Sequence, residues 1–270
     1  MAAFSVVSNI ASSSAQAHLT NTSIGLNKAL NRLSSGFRIN QAGDDAAGLA
    51  VANTYRNDQA ILNQGIRNAN DGLSKLQIKD GALNNISTLL DRLATLSTQA
   101  ANGASDADIT KLSDKYSEVL NEITREATVA GLDAATGFSV FVSSEATASD
   151  GKITESAIGA ATAAALGLTT TTLTDAATAA TALGEVEDAI DTLGDVQNTV
   201  GILQNKLQFA VSLAQSQVVN TKAAESRIRD ANVAEESANM TRYNILTQSG
   251  IAALSQANQS SQSVLSLLRN

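Results

Sequence analysis

Not one proline occurs in 270 residues. At the usual frequency of about 5%, a chain this long carries roughly 13. Proline ends helix interiors because it lacks an N–H and its ring meets the carbonyl one turn back. A chain without it either runs very long uninterrupted helices or has to stay pliable. The apolar residues favour the helices. Leu62, Ile66, Ala69, Leu73 and Leu76, then Leu83, Ile86, Leu90 and Leu93, follow one another mostly at steps of three and four, a coiled-coil period. Leu183, Val186, Ile190, Leu193, Val196, Val200, Leu203, Leu207, Val211, Ala214 and Val218 continue it further along, at about 3.5 residues per step.

Boundaries follow from the breakers. Residues 4–33 read as a polar amphipathic helix with a thin stripe of Leu19, Leu26, Leu30 and Leu33, ended at Ser34-Ser35-Gly36. After an irregular stretch to Gly43, Asp44-Asp45 opens a helix over 45–100, since carboxylates favour the positive end of the helix dipole. At 1.5 Å per residue it would be about 80 Å long. Asp80 interrupts its stripe and Asn102-Gly103 ends it. Ser105 with Asp108 reads as a capping box for a third helix carrying Ile109, Leu112, Tyr116, Leu120, Ile123 and Ala127. Phe138 to Val142 has strand propensity, Asp150-Gly151 suits a hairpin turn, and Lys152-Ile153-Thr154 supplies a partner strand. Residues 143–174 are rich in Ser, Thr, Ala and Gly and read as a surface insertion. Helix returns from Asp175 to about Asp230. A last polar helix carries Ile245, Ile251, Leu254, Val264, Leu265, Leu267 and Leu268. The expected fold is mainly α: a long antiparallel coiled-coil-like bundle with paired terminal helices and a small β-hairpin insertion.

Composition narrows the chemistry. With 18 basic and 26 acidic residues the formal charge is −8, which disfavours nucleic acid and anionic membranes as partners. There is no cysteine and only one histidine, His18, so thiol chemistry is excluded and histidine metal sites or dyads are nearly so. Five Phe, three Tyr and no Trp suit thin bundles packed by aliphatic residues. No run of 18 apolar residues suggests a membrane span, and Met1-Ala2-Ala3-Phe4 does not read as a cleavable signal. Glu185, Glu187, Asp188, Asp191 and Asp195 form an acidic run. Its position near a helix start accounts for it better than a cation site would. No GxSxG, HExxH, Walker loop or GxGxxG occurs. No catalytic, cofactor or metal site is expected, and no enzyme activity.

Several stretches resemble bacterial flagellin. They are Leu30-Asn31-Arg32-Leu33-Ser34-Ser35-Gly36-Phe37-Arg38-Ile39-Asn40, Asp44-Asp45-Ala46-Ala47-Gly48-Leu49-Ala50, Arg67-Asn68-Ala69-Asn70-Asp71-Gly72 and Gln99-Ala100-Ala101-Asn102-Gly103 on the N-terminal side. On the C-terminal side they are Ser226-Arg227-Ile228-Arg229-Asp230-Ala231, Asn258-Gln259 and Val264-Leu265-Ser266-Leu267-Leu268. The resemblance covers roughly 20–130 and 180–270; the centre matches mainly as Leu166-Gly167-Leu168. It implies a short-form flagellin lacking the large outer domains, a structural subunit of the flagellar filament used for swimming. The alternatives are a hook–filament junction protein and a non-flagellar helical adhesin or effector.

On that resemblance, 1–44 is the N-terminal filament-core helix and its bend. Residues 45–140 and 175–230 form the outer bundle, 141–174 a short variable surface insertion, and 231–270 the C-terminal filament-core helix. The expected assembly residues are Leu26, Leu30, Leu33, Arg32, Arg38, Asp44, Asp45, Arg227, Arg229, Asp230, Leu254, Val264, Leu265, Leu267 and Leu268. The implied partners are further copies of the chain, sister flagellins, an export chaperone, and hook-associated and cap proteins. The location is extracellular, in the flagellum, by type III export without a cleavable signal. Flagellins that an innate immune receptor senses strongly carry Arg, a second Arg with Glu, then Leu ahead of Gln-Ala-Ala-Asn-Gly. Here Arg92 and Leu96 fit, and Ala94 and Thr95 replace the middle pair; aligned on Asn121-Glu122-Ile123, Lys115 stands where relatives carry an acid, while a shift of one residue offers Asp114 instead. Weak or absent receptor binding is the expectation.

Overall fold

The computed structural model describes residues 9–102, 106–143 and 151–268. Five helices and one hairpin follow in order: α1 (Ile10–Ser35), α2 (Ala46–Ala101), α3 (Asp106–Val129), β1 (Thr136–Phe141), β2 (Lys152–Ile158), α4 (Ala176–Arg229) and α5 (Val233–Leu268). They form two compact units. Unit 1 comprises residues 1–57 with 221–270, and unit 2 residues 58–220. The division falls at 57/58 and 220/221, within α2 and α4, and not at the bends near 44 and 230 where those helices begin and end.

The starts of α1, α2 and α4 each have a local cause. Asn9 caps α1 by accepting from the Ser12 N–H at 3.0 Å. Asp45 caps α2 by accepting from Gly48 N–H at 2.9 Å. Asp175 caps α4, taking the Thr178 N–H at 2.7 Å while the Thr178 hydroxyl accepts from Asp175 N–H at 3.0 Å. Such caps satisfy N–H groups that have no partner within the helix. Ser105, the expected cap of α3, lies outside the described residues. Helix α1 ends at Gly36, whose φ of 74° lies in the left-handed region that only glycine adopts without penalty.

Unit 2 holds a continuous core. From α2 it takes Leu62, Ala69, Leu76, Leu83, Ile86, Leu90 and Leu93, and from α3 Ile109, Tyr116, Leu120, Ile123 and Ala127. On α4 the heptad is present but its phase differs from the sequence reading at one end. Ala182 and Ala189 are buried there, while Ile190 is 39% exposed. The period belongs to the helix, but the phase is set by what packs against it, and the small alanines face the core.

The hairpin is antiparallel, pairing Phe141 with Lys152 and Val140 with Ile153, with an irregularity between Thr136 and Phe138. It crosses α2 where two glycines stand seven apart. A Cβ on Gly65 would lie 2.3 Å from the Val142 carbonyl oxygen, and one on Gly72 would lie 2.8 Å from a Val140 methyl. Only glycine admits the strand this closely.

The expected surface insertion is corrected in its second half. Ile158, Ala161, Leu166, Leu168 and Leu173 belong to the same buried core. Ala161 N–H donates to Leu132 O at 2.9 Å and Leu173 N–H to Ser113 Oγ at 3.0 Å. Glu185 holds the strap between them, accepting from the Thr169 and Thr170 N–H groups at 2.9 and 2.8 Å and from both hydroxyls. Burial pushes Glu185 up, but these hydrogen bonds outweigh it and hold the carboxyl below its usual range. One member of the acidic run thus secures backbone. Among the described residues no cluster of three or more His, Cys, Asp or Glu could hold a metal ion.

Candidate assembly interface

Unit 1 is built from α1 and α5 packed antiparallel, with the bends that join them to the neighbouring helices. Asn9 Nδ2 donates to Ala257 O at 3.1 Å. Nearer the middle, the Tyr243 ring lies against Gly25 and Leu19 lies against Gly250. Arg32 meets Glu236 at 3.0 Å, and Glu236 is only 8% exposed.

The two bends are bonded directly. Phe37 and Asp230 form an antiparallel bridge. Arg38 N–H donates to Arg229 O at 2.6 Å and Ala231 N–H to Gly36 O at 2.9 Å. The Arg38 guanidinium donates to Ile228 O at 2.7 Å, and the Arg229 guanidinium stacks 4.1 Å above the Phe37 ring, a cation–π contact. Arg229 also faces Glu225 at 3.8 Å, and Asp230 accepts from the Ser226 hydroxyl at 2.5 Å. Asp44 accepts from Lys28 at 2.8 Å and from the N–H groups of Asn40 and Gln41 at 3.3 Å each. The Lys28 hydrogen bond holds the Asp44 carboxyl below its usual range against the opposing effect of burial, with the two amides adding to it. Ile39 closes the turn at 1% exposure.

The structure therefore brings Arg32, Arg38, Asp44, Asp45, Arg229 and Asp230 into the two bends, whereas Arg227 is exposed. Leu26, Leu33 and Leu254 are half-buried, and Leu30 is exposed. The side chains of Val264, Leu265, Leu267 and Leu268 lie outside the described residues. Sequence reasoning missed Lys28, Glu236, Phe37 and Tyr243. Phe37 and Tyr243 carried one signal, as aromatic residues in a chain with few. Of the receptor-pattern positions in unit 2, Arg92, Thr95 and Lys115 are exposed, Ala94 is half-buried and Leu96 is buried.

Unit 2 also exposes large apolar side chains, Phe209 and Val129 among them, but it encloses a core, and unit 1 buries little. In unit 1 Ile10, Ile24, Leu30, Val51, Val233, Ile245, Leu246 and Ile251 are all exposed, several beyond half, while among the described residues its buried apolar ones are Ala29, Ile39 and Ala52. Among the described residues no helix is long and apolar enough to cross a membrane. A polar helix pair with unburied aliphatic side chains is the geometry of a protein that completes its packing against other chains.

Comparison with known proteins gives the family. The family model for the bacterial flagellin N-terminal helical region matches residues 6–132, and the model for the C-terminal helical region matches 183–268. The chain is 37% identical to the flagellar filament 33 kDa core protein of Treponema phagedenis, over 97% of this chain and 98% of that one. It is 35% identical to a flagellin of Halalkalibacterium halodurans, over 92% and 95% of the two chains. A crystal structure of Bacillus cereus flagellin is 29% identical, with a TM-score of 0.47 over 59% of this chain and 94% of that one. The chain belongs to the bacterial flagellin family. It is a structural protein of the filament, and the junction-protein and adhesin readings are not favoured.

Proposed function

We propose that this chain polymerises into the flagellar filament through unit 1, with 1–44 and 231–270 forming the filament core. Residues 45–140 and 175–230 form the surrounding layer, and 141–174 the variable segment. The observation that carries this is the exposed aliphatic set on α1 and α5, from Ile10 and Ile24 to Ile245 and Ile251. Such contacts between identical chains are heterologous, and when the rotation does not close they give an open helical polymer. Arg32, Arg38, Asp44, Asp45, Arg229 and Asp230 hold the bends that aim the pair, and Leu254 with Val264, Leu265, Leu267 and Leu268 completes its C-terminal end. Salt-induced assembly of the purified chain, followed by electron microscopy, tests the reading. Long filaments are expected, and a chain that stays monomeric under all assembly conditions overturns it.

The role is structural and not enzymatic. The export chaperone, hook-associated and cap proteins are the partners along the route to an extracellular filament. For the innate receptor, Arg92, Thr95 and Lys115 offer a surface without the acids of strongly sensed relatives. Each lost charge-assisted hydrogen bond weakens binding by about 1.5–3 kcal/mol. A reporter assay should show weak activation that Thr95→Glu with Lys115→Glu raises; full potency of the unmodified chain refutes it. Hydroxyls within 143–174 are candidate O-glycan acceptors, except Thr169 and Thr170, which Glu185 engages. An unmodified intact mass of native filaments ends that proposal.

A further inference from the structure

We propose that two reciprocal glycine seats, Tyr243 on Gly25 and Leu19 on Gly250, hold the register of α1 against α5 along the middle of the pair, away from the bends, and so fix the pattern of apolar side chains that unit 1 presents to a second copy. The proposal rests on the filament reading above. A Cβ on Gly25 would lie 2.7 Å from both Cε1 and Cζ of Tyr243, and one on Gly250 would lie 3.2 Å from Leu19 Cδ1. Each helix therefore offers one projecting side chain and one hole, and each hole takes the other helix's projection. A slip of one turn, about 5.4 Å, would move Tyr243 from Gly25 towards Asn21 or Ala29 and unseat Leu19 at the same time.

The bonds between the bends and the Arg32–Glu236 pair fix register at one end of the helix pair, and Asn9 bonds Ala257 O at the other; between them the two seats are the shape-specific contacts. The apolar stripe of α1 is thin, and Ala29 is its buried residue. Register errors are tolerated where bulk apolar packing is weak or uniform. The reciprocal seats supply shape where hydrophobic area is scarce. They also give glycine a reason to stand inside helices that it destabilises relative to alanine. Not every helical glycine in the chain has such a reason: a Cβ at Gly81, Gly184, Gly194 or Gly201 would meet nothing within 4 Å.

The sign of one substitution separates this from ordinary helix propensity. Propensity alone makes Gly25→Ala favourable, lowering the critical concentration for assembly about fivefold. With the seat, Gly25→Ala in the full-length chain raises it about tenfold, and in a Tyr243→Leu background, where the ring is gone, the same change lowers it. Gly81→Ala serves as the open-space control and leaves assembly unimpaired. Gly25→Ala that lowers the critical concentration in both backgrounds, or raises it equally in both, overturns the lock.

A second readout follows register directly. The chain has no native cysteine, and a Cβ at Gly250 lies 3.9 Å from the Leu19 Cβ, within the span of a disulfide. Leu19→Cys with Gly250→Cys should close an intrachain bond in oxidised filaments, and adding Gly25→Ala should cut its yield several-fold; an unchanged yield overturns the proposal. If the unaltered chain never polymerises, the filament reading falls and takes the lock's role with it. If it polymerises and these differences are missing, the lock alone fails.

Discussion

Units 1 and 2 are made from the same kind of helix, and both expose some large apolar residues, but they differ in how much they bury. In unit 2, Leu90, Leu93, Ile123, Val200, Leu203 and Leu207 are each 0% exposed, and three helices, a hairpin and the strap close one core. In unit 1 the comparable residues Ile24, Ile245 and Ile251 lie in the open, and what holds α1 to α5 is a set of specific contacts: Arg32 with Glu236, Phe37 under Arg229, Tyr243 on Gly25. The stability of unit 2 is therefore its own, while on the proposed function that of unit 1 is completed by neighbours. Isolated polar helices are marginal in water, and a segment that buries its face only in a polymer folds most firmly there.

The sharpest way to break this contrast is to remove the C-terminal tip. Deleting Val264 to Asn270 is expected to abolish polymerisation while leaving the melting of unit 2 unchanged, read by electron microscopy and calorimetry on the same sample. Filaments of normal length from the truncated chain would show that the tip is dispensable. Limited proteolysis extends the test, because untied termini are nicked first. It should trim roughly 40 residues from each end of the monomer and spare the same ends in filaments.

Paired substitutions sharpen the contrast. Leu203→Ala in unit 2 should cost about 2–5 kcal/mol of monomer stability by leaving a cavity. Ile245→Ala in unit 1, an exposed site, should change monomer stability by less than about 0.5 kcal/mol yet raise the critical concentration for assembly. A similar loss of monomer stability from both would erase the distinction between the units.

The smallest effect concerns Tyr116, a polar group buried within unit 2. Its hydroxyl is buried without a hydrogen-bond partner among the described residues. Burial, with the Glu185 carboxylate adding to it, pushes its pKa from 10.0 up to about 12. The folded state thus holds this proton more tightly than the unfolded state. Below pH 10 both states keep the proton, so stability is unaffected; it falls as pH rises from 10 towards 12, by about 3 kcal/mol in all. Tyr116→Phe should flatten that alkaline loss in thermal melts and leave neutral-pH stability equal or slightly higher, since an unpaired buried hydroxyl is removed. An unchanged alkaline slope would place the titration elsewhere.

Much of the molecule was legible from the chain. The absent prolines and the three-four spacing of Leu83, Ile86, Leu90 and Leu93 announce long helices, because helical period is a local property. Gly36 marks a helix end, and the terminal motifs that name the family are contiguous strings. What lay beyond reach depended on residues distant in sequence. Whether Ala189 or Ile190 faces inward depends on the neighbouring surface. Ser- and Thr-rich chain over 159–174 looks like surface until Glu185 and Ser113 supply partners for its amides. Lys28, Phe37 and Glu236 become significant only when Asp44, Arg229 and Arg32 arrive from other segments. The sequence by itself determined the helices, their period and the family. The tertiary structure decided their phase, the burial of the strap, the backbone bonds between the bends and the glycine seats, because each of these is fixed by what packs from across the fold.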